Sequence, residues 1–328
     1  MKLVPLTKND ILIDTSKTTT GYFSGGKGNL AGANFTTASL SATQKQYYYT
    51  LQYNSEDHFG CSFGHSAGTG SSTSALNAGI GETQAIYESF ASKLLRAADV
   101  EGGFKISGSA TVKEDAVWIL VAERAKMKDR LNAGNWTLSL SGSAGATNHE
   151  VKLTDDSKTN YAYASPLGPR YNIVSGTKGT VHTAASTKRF GYFWPEVGTM
   201  VFSSAVLSAS LPGAGTPKAY RSGSVNFKED DTNFAINTEA DSNNALKLAS
   251  SIALGGGGTH PHTFRAEEDQ TTVSYFCRAL SRDFNHSGNP TFISGSEGRY
   301  RQPGYVGNPQ TFITTVGLYN GANEMLAV

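Results

Sequence analysis

RFGYFWPEVG, residues Arg189–Gly198, is the stretch that decides the fold. In an extended chain, successive side chains point to opposite faces. Phe193 then lies on one face and Tyr192 with Trp194 on the other, so both faces of this strand need apolar cover. Two readings meet that demand. The strand is the buried centre of a sheet, or Tyr192 and Trp194 anchor an interface, where such side chains are natural hot spots.

Working outward, AVWILVA (Ala116–Ala122) is a continuous apolar run of strand length, again suited to a sheet buried on both sides. Trp136 to Leu140 alternates large apolar residues with Thr and Ser. Strand–turn–strand units recur at Tyr171–Val174, Gly191–Phe202 and Val225–Phe227. From Gln270 to Ala279, Thr272, Ser274 and Phe276 alternate with Val273, Tyr275 and Cys277. Two stretches instead follow the helical period. Over 82–98, Ile86, Phe90, Leu94 and Leu95 form one apolar face, with Glu82 and Thr83 suited to an N-terminus. Over 241–253, Leu246, Ala249, Ile252 and Ala253 do the same, before a break at Gly255–Gly258. Glu123 to Leu131 reads as one or two helical turns. No repeat of 20–50 residues is visible. The expected class is α+β, predominantly antiparallel β with two modest helices. Its expected divisions are a flexible N-terminal arm (1–45), an α+β domain (46–145), a β-rich domain (146–260) and a C-terminal β segment (261–328).

The C-terminal segment ends in QTFITTVGLYNGANEMLAV (Gln310–Val328). Asn320-Gly321 between apolar runs predicts a hairpin turn, because both residues tolerate positive φ. The returning strand, Glu324 to Val328, stops as it becomes apolar, which predicts a sheet edge covered by a neighbouring chain. Phe312, Ile313, Val316, Leu318 and Tyr319 are the residues expected to carry that contact.

Composition points the same way. Charged residues make up 17% of the 328, with 36 glycines, against about 25% charge in an average soluble protein. A surface poor in charge and rich in Ser, Thr and Tyr suits permanent contacts. The net charge of +1 supplies no field to attract nucleic acid. The opening MKLVPLTKNDILIDTS lacks the apolar core of a secretory signal, and no later stretch is apolar for the ~18 residues of a membrane span. The expectation is a chain made and kept in the cytoplasm unless it leaves inside a larger particle, with neither nucleic acid nor membrane as a partner.

Several stretches carry residue types that could support chemistry. His58, Cys61 and His65 in DHFGCSFGH, together with His260 and His262 in THPHT, could in principle form a mixed zinc site. Gly60 and Gly64 argue for a turn there, and Cys61 beside Phe63 reads as core. SGGKGNLAG lacks the strand–helix context of a phosphate loop, and no GxSxG elbow occurs. The acidic runs Glu229–Asp231 and Glu267–Asp269 read as solvated turns. No catalytic, cofactor-binding or metal-binding residue is assigned, and the chain is not expected to be an enzyme.

Six blocks in order carry a resemblance: AIYESFASKLL (Ala85–Leu95), ERAKMKDRLNAGNWTLSLSG (Glu123–Gly142), YNIVSG (Tyr171–Gly176), FGYFWPEVGTMVFSS (Phe190–Ser204), FRAEEDQTTVSYFCRALSRDFNHSGNPTF (Phe264–Phe292) and TFITTVGLYNGANEMLAV (Thr311–Val328). Their order, over roughly residues 45 to 328, resembles a group of virion structural proteins of T-even-like contractile-tailed bacteriophages (myoviruses). The resemblance implies a virion part of the tail or baseplate, partnered by other virion structural proteins and by copies of itself, with no enzymatic residues to transfer. Receptor- or glycan-binding fibre modules and head decoration or neck proteins are the alternatives within that setting.

Overall fold

The computed structural model describes residues 4–21, 29–30, 35–37, 47–53, 55–72, 81–106, 112–144, 147–182, 188–211, 236, 238, 244–255, 262–280 and 285–328. Strands β1 (Ile11–Gly21), β2 (Asn29–Leu30), β3 (Phe35–Thr37), β4 (Tyr48–Tyr53) and β5 (Glu56–His65) precede helices α1 (Glu82–Leu94) and α2 (Ala97–Val100). There follow β6 (Ala116–Ala122), β7 (Arg130–Leu131), β8 (Leu138–Ala144), β9 (Thr147–Asp155), β10 (Tyr163–Ser165), β11 (Gly168–Thr177), β12 (Thr180–Val181), β13 (Gly191–Trp194) and β14 (Thr199–Ser203). Helices α3 (Ser204–Ser210) and α4 (Asn244–Gly255) lead to β15 (His262–Thr263), β16 (Arg265–Tyr275), β17 (Ile293–Ser294), β18 (Arg299–Tyr300), β19 (Leu318–Tyr319) and β20 (Met325–Ala327). The fold is β-rich α+β and mostly antiparallel.

The chain forms two units, one of residues 17–269 and one of residues 1–16 with 270–328. The larger is built on one sheet of order β3-β4-β5-β6-β14-β13-β11-β9-β8, with β10 and β12 also paired to β11. The central strands are those the sequence marks as two-sided. β14 pairs with β6 so that Phe202 faces Trp118 and Val201 faces Ile119, and with β13 so that Val201 faces Tyr192. Alternation then sorts the side chains. Trp118, Leu120, Phe193, Met200 and Phe202 enter a core that includes Leu246, Ala249 and Ile252 of α4. Val117, Ile119, Tyr192, Trp194 and Val201 enter a second core with Tyr87, Ala91 and Leu94 of α1.

Helix α4 touches β8 at one end of the strand order and β3, β4 and β5 toward the other, so the sheet curls around it. Asn244 to Ala249, Ser251 and Ile252 are all buried, as befits a helix enclosed on every side rather than on one stripe. Its first turn is tied to the sheet by Trp118 Nε1, which donates to the Asn244 carbonyl at 2.9 Å. The expected helix at 241–253 is thus found at 244–255, as an interior element.

Helix α1 is shorter than the expected 82–98. Leu95 and Arg96 are extended, and α2 begins a new turn. Its buried face is Thr83, Tyr87, Ala91 and Leu94, turned by one position from the expected Ile86–Phe90 line, whose residues are half-buried. The polar tip of Tyr87 explains the rotation. Its hydroxyl donates to the Glu114 carbonyl at 2.8 Å and accepts from Phe104 N–H at 3.1 Å, so a buried phenol is satisfied. At the N-terminus, Ser71 Oγ accepts from Thr83 N–H and the Glu82 carboxylate accepts from Ser72 N–H, each at 3.0 Å.

Gly60 and Gly64 do not make the expected turn: both lie inside β5, and Gly64 pairs with Val117. A Cβ on Gly64 would stand 2.9 Å from the Tyr87 backbone, whereas one on Gly60 would meet nothing within 4 Å. Gly64 therefore serves the close approach of α1 to the strand. Glu123–Leu131 forms a single 3₁₀ turn (Arg124–Lys126) and then β7, because Leu131 and Arg130 pair with Ala266 and Glu267 of β16. Residues 225–227 and the glycine-rich 24–28 lie outside the described residues. Within the expected arm, 11–21 are strand, and β2 and β3 pair with β15 and β4. β8 and β9, on either side of residue 145, pair with each other, so one sheet carries strands from both expected central domains.

Replacing Gly64 by Ala should cost roughly 1–3 kcal/mol in urea unfolding, because the intruding methyl meets helix backbone that cannot step aside. Gly60→Ala should stay within about 0.5 kcal/mol. Equal effects at the two positions would contradict the close-approach account.

Candidate functional site

The residues weighed for metal chemistry do not converge. Cys61 is buried in the core of the curled sheet, where desolvation pushes its thiol pKa up. His58 is buried edge-on to Tyr53, with ring centroids 5.6 Å apart; burial, helped by Lys126, lowers its pKa to about 4. His65 is half-exposed and its Nδ1 accepts from Ala67 N–H at 3.0 Å. His262 is fully buried, with Nδ1 accepting from Ser139 N–H at 3.1 Å and Nε2 2.8 Å from the Ile252 carbonyl. It therefore links β8 to α4. His260 lies outside the described residues, and among the described residues no three His, Cys, Asp or Glu side chains gather in a metal-binding group.

The acidic run Glu267–Asp269 is not a solvated turn but part of β16. Arg130 reaches Glu267 at 2.8 Å and Asp269 at 2.6 Å, and Asn132 also donates to Glu267. Burial would raise the Glu267 carboxyl, but Arg130, Asn132 and Lys17 together hold it below its ordinary range. The cluster clamps β7 to β16. Residues 229–231 lie outside the described residues.

Tyr192 and Trp194, expected at an interface, are instead buried in the chain's own second core. The Tyr192 hydroxyl donates to the Lys105 carbonyl, and Trp194 Nε1 donates to Ser165 Oγ at 3.0 Å. They present no surface to a neighbour.

The C-terminal residues are placed differently. The hairpin forms, with Leu318 facing Ala327 and Tyr319 facing Met325. Its tip is longer than a two-residue Asn-Gly turn. Asn320 Oδ1 accepts from the N–H groups of Ala322 and Glu324, both at 2.9 Å, and the positive φ falls on Asn323. Asn320 thus works through its side chain, as in an Asx turn. Residues 309–317 are irregular rather than strand. Phe312 is 86% exposed, Ile313 and Val316 are exposed, and Leu318 and Tyr319 are half-buried.

That exposure extends through the smaller unit. Ile13 of β1 is 65% exposed and Leu326 of β20 is 68% exposed, with Leu12, Phe276 and Met325 also open to solvent. Among the unit's described residues, Phe292 is the one buried apolar side chain. Rings pack around it: Tyr305 stacked at 5.2 Å, with Tyr300 at 5.5 Å and His286 at 6.1 Å edge-on. Asp10 is the local polar anchor, accepting from Thr7 N–H at 2.9 Å and pairing with Arg278 at 2.8 Å. A unit of this kind buries too little apolar surface to offset the entropy of its own ordering. Ile11, Leu12 and Ile13 add exposed apolar side chains that the sequence reading did not single out. Their signal was the consecutive ILI run, which leaves a strand apolar on both faces.

Comparison with protein-family models, with characterised proteins and with solved structures finds no match.

Neutral His262 makes stability depend on acid. Burial lowers its pKa to about 4 from the ordinary 6.5, so the unfolded chain binds the extra proton first. Its contribution, on the order of 3 kcal/mol at most, is complete above pH ~6.5 and is lost as pH falls toward 4. Urea unfolding across pH 7 to 4.5 should show this loss, and His262→Gln should reduce the slope, leaving the share of His58; an unchanged slope would contradict the assignment.

Proposed function

We propose that this chain is a structural subunit of a bacteriophage virion, a tail or baseplate assembly protein of the contractile-tailed kind. Its smaller unit is completed by neighbouring subunits, copies of itself among them. One observation carries the reading: a unit whose apolar side chains face solvent, with Phe292 the one buried apolar side chain among its described residues. Contiguous exposed apolar surface on a folded chain marks a place of contact. The low overall charge and the order of the six blocks, which resembles that of phage structural proteins, support the same reading.

The contact would be made by backbone as well as side chains. β20 is a three-residue strand whose side chains are all exposed, and the irregular 311–317 segment precedes its hairpin partner. A neighbour's strand laid along such an edge gains main-chain hydrogen bonds, while Phe312, Ile313 and Val316 supply apolar anchors. The curled sheet around α4 serves as a self-sufficient, rigid spacer.

Deleting residues 311–328 should abolish incorporation into particles while leaving the circular-dichroism signal and unfolding midpoint of the larger unit within error. Truncated protein found in virions at normal copy number would overturn the role given to this segment. Phe312→Asp with Ile313→Asp should reduce incorporation at least about tenfold, since each removes an anchor of ~1 kcal/mol or more.

A further inference from the structure

The larger unit holds one arginine in an unusual setting. Arg170 lies on β11, directly opposite Tyr163 of β10, and Tyr192 of β13 is opposite Asn172, two residues along. Opposed residues and their i+2 neighbours share a sheet face, so both tyrosine rings converge on the guanidinium. Its Cζ stands 3.9 Å from the Tyr192 ring centroid and 4.7 Å from that of Tyr163. Tyr192 is buried and fixed by its bond to the Lys105 carbonyl, while Tyr163 is open to solvent on its outer side.

Among the described residues no carboxylate pairs with Arg170 or with Arg189, and the Arg170 Nε–H is buried without a hydrogen-bond partner. The charged neighbours that act on it include two further cations, Arg189 and Arg96. Burial foremost, and then those two charges, lowers its pKa from the ordinary value, against the opposing pull of the two tyrosines. A half-buried cation beside like charges is costly unless an anion completes the arrangement. Both tyrosine rings turn a face to the guanidinium carbon, so an anion would meet the guanidinium through its N–H donors. A planar carboxylate fits those donors through two parallel hydrogen bonds.

We propose that Arg170, flanked by Tyr163 and Tyr192 with Arg189 nearby, is a recognition site for a carboxylate. The carboxylate comes either from an acidic side chain of a protein partner or from a free organic acid, and the bound form pairs it edge-on with the guanidinium. The site does not depend on the assembly reading: it belongs to the larger unit and uses none of the exposed residues of the smaller one.

The test is titration of the full chain with succinate and, separately, with a hexaglutamate peptide, at constant ionic strength held with chloride. The readout is the Arg170 Nε–Hε signal in ¹⁵N-correlated NMR, together with the thermal midpoint. The site predicts a saturable shift of that signal, with a dissociation constant on the order of millimolar for succinate. Read by the thermal midpoint, Arg170→Lys, which keeps the charge but loses both the fork and the Nε–Hε signal, should weaken binding about tenfold or more. Tyr163→Leu, at an exposed position that cannot unfold the core, should weaken it severalfold. Peptide binding far tighter per carboxylate than succinate identifies a protein partner; equal binding per carboxylate identifies a free acid. An unmoved Nε–Hε signal in the wild-type chain, or identical titrations for wild type and both variants, would overturn the proposal.

Discussion

Two-sided burial of the central strands is the constraint on which the larger unit depends. β6, β13 and β14 carry large apolar side chains at successive positions, and the pleat sends them alternately to opposite faces. Neither face can remain in water, so one takes α1 and the other takes α4. The second choice shapes the larger unit. A helix enclosed on nearly every side needs sheet around it, and the strand order supplies this by curling until β8 and the β3–β5 end both reach α4.

Close contact then falls to small residues and satisfied polar tips. Gly64 lets the backbone of α1 approach β5. Tyr87, Trp118 and His262 each bury a polar atom and supply it with a backbone partner, joining helices and strands that are distant in sequence. Arg130 performs the equivalent task with charges, bridging Glu267 and Asp269 so that the short β7 is held in register. In the smaller unit Asp10 joins Thr7 to the distant Arg278, and Asn320 binds Glu324 four residues along.

Much of this was legible in the sequence, and the failures have physical causes. The opposite-facing Phe193 and Tyr192–Trp194 pattern correctly demanded cover on both sides, but it could not say whether that cover came from within the chain. The helix at 82–98 was visible by period, yet its buried face was set by the Tyr87 hydroxyl, a tertiary hydrogen bond that hydrophobicity does not register. Gly60 and Gly64 looked like turn residues because glycine's turn preference is local, whereas its use against a neighbouring helix is not. Glu267–Asp269 looked solvated because the pairing with Arg130 spans more than 130 residues. The C-terminal hairpin was readable from Asn320, though its tip uses the side chain instead of a two-residue turn. The Arg170 arrangement carried no linear signal, since its three residues come from three strands.

The account rests on a contrast between a body that completes its own core and a unit that does not. Amide hydrogen exchange on the isolated full chain at low concentration measures that contrast directly. The account predicts strong protection, approaching the global unfolding limit, in β6, β13, β14 and α4, and exchange close to the unprotected rate across residues 311–328. Protection of residues 311–328 equal to that of the central strands in the dilute, isolated chain would contradict it.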